Sequence, residues 1–127
     1  MVRGSTARKI DVDELPAGDA LYTRIVREVC DGGLTTADVA RVVRVADRQV
    51  RKWSAGASVP RGFNRDRLLE LNYVTKQLRD VYTKEGAEIW LHGRKRSLGA
   101  RRPIDLLAEG DFDEVLDAIE RLSAGAM

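Results

Sequence analysis

The side chains with the clearest chemical potential lie between positions 41 and 61, where six basic residues accompany a single acid and give a net charge of +5. Arginine can donate two hydrogen bonds to O6 and N7 of guanine, and glutamine can pair with adenine. Clustered positive charge also attracts the phosphate backbone. This chemistry predicts a DNA-binding surface. Its candidate residues are Thr36, Asp47, Arg48, Gln49, Arg51 and Lys52.

The same stretch has the spacing of a helix-turn-helix. Thr35 and Asp38 are typical of a helix start, since a hydroxyl and an early carboxylate satisfy the first backbone N–H groups. The small Ala40 allows two helices to approach. In a docked pair, the start of the second helix faces the base edges of the major groove. The positions predicted to pack the two helices together are Val39, Val45, Val50 and Trp53. Arg44 stands where many such turns carry glycine.

Helical periodicity continues on both sides of this pair. A first helix is predicted to end at Gly32 and Gly33 after apolar residues at helical spacing. Further along, Asn64 is predicted to cap a long helix. The apolar stripe of that helix is Leu68, Leu71, Val74, Leu78 and Val81, with Leu69, Tyr73 and Tyr82 widening the face. Either this broad face is core, or Leu71, Val74, Leu78 and Tyr82 form the seam of a homodimer.

The last third of the chain carries two more predicted helices after a short one near Trp90. Pro103 suits the first position of a helix that Gly110 ends. Asp111 and Glu114 are predicted to form an acidic capping box for the final helix. Because no strand alternation is visible, the fold class is predicted to be all-α. The predicted organisation is a flexible arm at 1–16, a helix-turn-helix region at 17–56, a linker at 57–63 and a second helical domain at 64–127.

Charge is segregated within the second half. Residues 94–102 contain five basic residues and no acid, and residues 103–127 contain seven acids against Arg121 alone. Such segregation indicates one surface for a polyanion and an acidic surface for another partner.

Composition excludes several classes of protein. The 127 residues contain one cysteine, Cys30, and one histidine, His92. A Cys-His dyad or a metal site of several such ligands therefore has too few residues to draw on. Gly32-Gly33 lacks the lysine of a phosphate loop. We accordingly expect no enzyme, cofactor or metal. No long apolar run or signal-peptide core is present, so we expect a cytoplasmic protein without a membrane span.

Three segments together resemble the Xre/MbcA/ParS family of antitoxins: residues 53–56 (WSAG) followed by Pro60, residues 64–68 (NRDRL), and residues 99–115 (GARRPIDLLAEGDFDEV). The most specific part is the pattern R-x-P-x-x-L-L-x-x-G-x-x-x-x-V. The resemblance spans about residues 34–122. It implies an Xre-like helix-turn-helix joined to a small helical toxin-binding domain, and a RES-domain toxin that consumes NAD as the partner. It further implies that the chain inhibits this toxin and represses its own operon.

The family motif places the toxin-facing region on the C-terminal stretch. The candidate toxin-binding residues are Arg102, Pro103, Asp105, Leu106, Gly110, Asp111, Leu122 and Met127. For the apolar members of the motif a competing interpretation is that they are core, because apolar residues at helical spacing are usually buried. The partners expected are the toxin and operator DNA, bound by a homodimer or by a hetero-oligomer with toxin.

Two other functions stay open at this point. The chain could be a stand-alone transcriptional regulator whose second half dimerises or binds another protein. It could also be a structural adaptor whose basic segment is a solvated face.

Overall fold

The computed structural model describes residues 17–125, and within them the fold is all-helical, which confirms the predicted fold class. One short turn of 3-10 helix, Arg96–Leu98, interrupts the loop before the last two helices. The helices are α1 (Ala17–Asp31), α2 (Thr36–Val43), α3 (Asp47–Ser54), α4 (Gly62–Arg79), α5 (Lys84–His92), α6 (Pro103–Glu109) and α7 (Phe112–Ser123). The predicted arm at 1–16 and Met127 lie outside the described residues.

Several helix ends follow directly from local sequence. The Thr35 hydroxyl accepts a hydrogen bond from the Asp38 backbone N–H, and the Asp38 carboxylate accepts one from the Thr35 N–H, both at 3.1 Å. This is a reciprocal capping box. Pro103 occupies the first turn of α6 and Gly110 ends that helix with φ +93°, a left-handed conformation that favours glycine.

Two predicted caps are wrong. Asn64 does not cap α4, because α4 begins at Gly62, and the Asn64 side-chain amide instead donates to the backbone carbonyl of Val43 at 2.6 Å. A tertiary partner at the end of α2 thus replaces the expected local one. Asp111 does stand at the start of α7, but its side chain makes no capping hydrogen bond, so the Asp111–Glu114 capping box is absent.

The long helix α4 forms the centre of the packing. It lies against α1, α2 and α7, and buries Leu68, Leu71, Val74 and Leu78 completely. Of the two interpretations that the sequence left open for this face, core holds for Leu71, Val74 and Leu78, while Tyr82, the fourth residue of the possible dimer seam, is half-buried. The outer positions Leu69 and Tyr73 remain 40% and 55% exposed instead of widening the buried face.

The packing is continuous across residues 57–63. Buried side chains from α1, α2 and α3 belong to the same apolar cluster as those from α4, α6 and α7. Independent folding of residues 64–127 stays a prediction. In the structure, much of the buried surface of α4 packs against α1 and α2, which precede this segment.

Candidate functional site

The turn between α2 and α3 keeps its shape despite the unusual residue in it. Arg44 adopts the left-handed conformation at φ 66° and ψ 51°, which explains why glycine is common at such positions. The Ala40 carbonyl accepts hydrogen bonds from the backbone N–H groups of Arg44 and Val45, at 2.8 and 3.0 Å. The tight turn therefore forms with an arginine held in a strained conformation.

We expect Arg44→Gly to raise the free energy of unfolding by up to about 1 kcal/mol. The left-handed conformation costs an L-residue roughly 1 to 2 kcal/mol, and glycine avoids this cost. Part of the gain is offset because glycine loses more conformational entropy on folding. Urea denaturation measures the change. Arg48→Gly, at another exposed position and inside α3, is the control and should destabilise the chain. A lower stability for Arg44→Gly than for the parent chain would contradict the strained-turn interpretation.

The second helix of the pair presents a basic outer face. Arg48, Arg51 and Lys52 are exposed on α3, while Val50 and Trp53 are buried on its inner face. Their spacing of three and four residues puts the three cations on one side of the helix. The structure thus brings together three of the predicted DNA-binding side chains.

The other three predicted DNA-binding residues have local roles. The Asp47 carboxylate pairs with Arg51 at 2.6 Å, one turn along α3. The Gln49 side-chain amide donates to the Ser58 hydroxyl at 2.9 Å, so this amide already has a partner in the chain. Thr36 is half-buried at the first position of α2. Base contacts by these residues stay predictions.

A second polar cluster joins α2 to α6. The Arg102 guanidinium donates two hydrogen bonds to the Asp105 carboxylate, at 2.8 and 2.9 Å. Arg41 of α2 reaches the same carboxylate at 2.8 Å. The hydrogen bonds from Arg102, reinforced by Arg41, hold the pKa of Asp105 at about 2 despite partial burial. Asp105 is therefore ionised and oriented, and Arg102 is held in a fixed position at the surface.

A parallel contact joins α2 to α5. The His92 Nε2 atom lies 3.0 Å from the Asp38 carboxylate, and its Nδ1 atom lies 2.8 Å from the Glu88 carbonyl. His92 is the last residue of α5. The start of α2, with its capping box, is thereby fixed against the C-terminal helices.

Arg67 occupies a position that the sequence did not predict. It is buried between the rings of Phe63 and Phe112, whose centroids lie 5.0 and 5.4 Å from its guanidinium carbon. It donates to the Leu107 carbonyl at 3.3 Å, near the end of α6. A Cβ atom at Gly110 would approach the Arg67 guanidinium to 3.1 Å. The motif glycine thus suits its left-handed backbone conformation, and a side chain there would require the Arg67 guanidinium to shift by a few tenths of an ångström.

The predicted toxin-binding residues divide into surface and core. Arg102 and Asp105 are partly exposed, and Gly110 and Asp111 are exposed beside them. Leu106 is only 1% exposed, as the core interpretation predicted, and Pro103 is buried as well, so these two support the surface from within. Leu122 is half-buried at the end of α7. Contacts of these residues with a partner stay predictions.

Two other features between residues 17 and 125 would indicate other kinds of site, a metal-ligand cluster and a membrane-spanning helix. In that range no group of three or more His, Cys, Asp or Glu side chains is placed to hold a metal ion. No helix in the described part of the chain has the length and apolar character needed to cross a membrane.

The helical fold and the α6–α7 motif define an antitoxin of the Xre/MbcA/ParS family, to which this chain belongs. Residues 77–125 match the family domain described as the antitoxin Xre/MbcA/ParS C-terminal toxin-binding domain. The mycobacterial cidal antitoxin MbcA of Mycobacterium tuberculosis is 37% identical over 93 residues, covering 73% of this chain and 82% of that protein. A probable mycobacterial cidal antitoxin of the same organism is 40% identical over 94 residues, covering 74% and 80%.

The fold comparison agrees with the sequence comparison. A chain in the crystal structure of the M. tuberculosis MbcT-MbcA toxin-antitoxin complex superposes with a TM-score of 0.75 at 33% identity. The superposition covers 84% of this chain and 96% of that one.

Proposed function

We propose that this antitoxin binds and inhibits a RES-domain toxin that consumes NAD, and that it represses its own operon by binding DNA. The observation that carries the proposal is the match of α5, α6 and α7 to a toxin-binding domain, in a chain whose α3 presents a separate basic face. Inhibition is by binding alone, without catalysis or a cofactor. Both proposed partners are cytoplasmic molecules.

The toxin-binding surface combines a fixed cation with an acidic helix. Arg102 supplies a guanidinium held in place by Asp105, and donors that are already oriented lose little entropy on binding. The outer face of α7 is acidic, with Asp113, Glu114, Asp117 and Glu120 all exposed. This charge complements a basic rim, such as one around a pocket for the anionic substrate NAD.

The DNA-binding surface is the outer face of α3. The pair α2–α3 acts as a helix-turn-helix in which Arg48, Arg51 and Lys52 approach phosphates and base edges. The exposure of these three side chains supports this assignment.

A homodimer accompanies DNA binding in this proposal. One recognition helix covers only a few base pairs, and two half-sites about 34 Å apart supply the remaining specificity. The exposed apolar residues Leu69 and Tyr73 on α4, beside Leu116 on α7, replace the buried stripe as the proposed seam. Sedimentation equilibrium should show a homodimer that dissociates on dilution, and Tyr73→Glu should raise its dissociation constant. A concentration-independent monomer, both free and on DNA, would remove the dimer from the proposal.

Rescue of growth tests the toxin-binding half in cells. Expression of a RES-domain protein encoded beside this gene should stop growth, and co-expression of the antitoxin should restore it. Failure of the folded antitoxin to restore growth would count against this partner.

A further inference from the structure

The loop at residues 94–102 is here called the basic loop, and of its residues only Arg102 has a part in the function proposed so far. Two of its five cations are neutralised, because Arg101 pairs with Glu109 and Arg102 pairs with Asp105. Lys95 lies over the ring of Trp90, with its Nζ 5.5 Å from the centroid. The remaining two, Arg94 and Arg96, are exposed and contact no carboxylate in residues 17–125.

The basic loop is held in one conformation. The Lys95 backbone N–H donates to the Arg101 carbonyl at 3.0 Å, and the Lys95 carbonyl accepts from the Ala100 N–H at 2.8 Å. Between them the 3-10 turn Arg96–Leu98 inserts the buried Leu98 against α7. The Arg94 guanidinium donates to the Ala100 carbonyl at 3.1 Å. The two cations that contact no carboxylate in residues 17–125 are therefore displayed on a loop that its own hydrogen bonds hold together.

Both ends of the basic loop lie against α2. His92, just before the loop, contacts Asp38 at 3.0 Å, and Asp105, just after it, contacts Arg41 at 2.8 Å. Asp38 and Arg41 are one turn apart, on the same face of α2. In a docked helix-turn-helix, the first helix of the pair crosses the phosphate backbone while the second enters the major groove. The loop thus emerges beside the helix that crosses the backbone.

We propose that the basic loop is a second DNA-contacting element, in which Arg94 and Arg96 bind backbone phosphates next to the site occupied by α3. This inference rests on the proposed DNA binding by α3. The chemistry favours phosphate over an acidic protein surface, because the arginines that anchor protein interfaces cluster with aromatic side chains in well-packed, desolvated pockets. The loop contains no aromatic side chain, and its one large apolar side chain, Leu98, is already buried in the chain.

The test compares the salt dependence of DNA binding by the full chain and by the double variant Arg94→Gln/Arg96→Gln. The probes are a duplex spanning the DNA upstream of the gene and an unrelated duplex of equal length. Each phosphate contact contributes about 0.9 to the slope of log affinity against log salt. We expect the slope to fall by about two and the affinity at 0.1 M salt to fall about 50-fold, equally on both duplexes.

Arg65→Gln/Arg121→Gln removes the same charge from exposed positions on α4 and α7 and should leave the slope unchanged. If α3 variants lose DNA affinity while the loop variant keeps the salt slope of the parent chain, the basic loop does not contact DNA and the proposal of DNA binding by α3 stands. If neither kind of variant affects DNA binding, both proposals fail. A loop variant that keeps its DNA affinity but no longer inhibits the toxin would reassign the loop to the toxin interface and overturn the inference.

Discussion

The triple variant Arg48→Ala/Arg51→Ala/Lys52→Ala is expected to bind the duplex upstream of its gene at least about 100-fold more weakly than the parent chain. Each lost base contact costs about 1 to 3 kcal/mol, and each lost phosphate contact lowers the salt slope by nearly one. All three side chains point away from the core, so the fold is retained. Fluorescence anisotropy at several salt concentrations measures the affinity, and circular dichroism checks the helices.

The matched control is Arg65→Ala/Lys76→Ala/Arg121→Ala, which removes three exposed cations from α4 and α7. Because neither helix is the proposed recognition helix, this variant should lose much less affinity and keep its preference for the upstream duplex. Equal affinities for the α3 variant, the control and the parent chain would mean that α3 is not the DNA-reading helix.

Arg102→Ala is expected to weaken toxin inhibition about 30-fold or more. Truncating one member of a charge pair that becomes buried at an interface costs about 2 to 5 kcal/mol, and each 1.4 kcal/mol corresponds to a factor of ten. The substitution leaves Asp105 paired with Arg41, so the contact between α2 and α6 survives. Inhibition of NAD loss, titrated against a fixed amount of toxin, gives the change, and DNA binding should be unaffected.

Arg65→Ala provides the control for this substitution. Arg65 lies on α4 outside the matched toxin-binding domain at 77–125, has a similar exposure (45% against 37%) and pairs with its own carboxylate, Asp66. Its replacement should leave inhibition nearly unchanged. If both variants inhibit as well as the parent chain, Arg102 does not contact the toxin.

Local sequence predicted the elements whose ends depend on near neighbours. The capping box at Thr35 and Asp38, the proline at the start of α6 and the glycine at its end all act within one turn of a helix. Asn64 failed as a cap because a carbonyl of α2, distant in sequence, competes for its amide. Propensity rules contain no information about such a partner.

The candidate site was harder to predict for the same reason. An apolar stripe on α4 looks identical whether a neighbouring helix or a second copy covers it, so sequence left core and dimer seam open. Arg67 precedes the buried Leu71 by four residues, a spacing that puts both on one face of α4, but charged residues are mostly exposed and the burial of Arg67 was therefore not predicted. The contact of His92 with Asp38 joins residues 54 positions apart and has no local signal.

The most direct test of the central claim is NAD consumption by the purified RES-domain protein encoded beside this gene, measured with and without this antitoxin. We predict that NAD loss falls to the background rate once the antitoxin is in molar excess, and that the two proteins elute together from a size-exclusion column. Undiminished NAD loss in the presence of excess folded antitoxin would contradict the proposed inhibition.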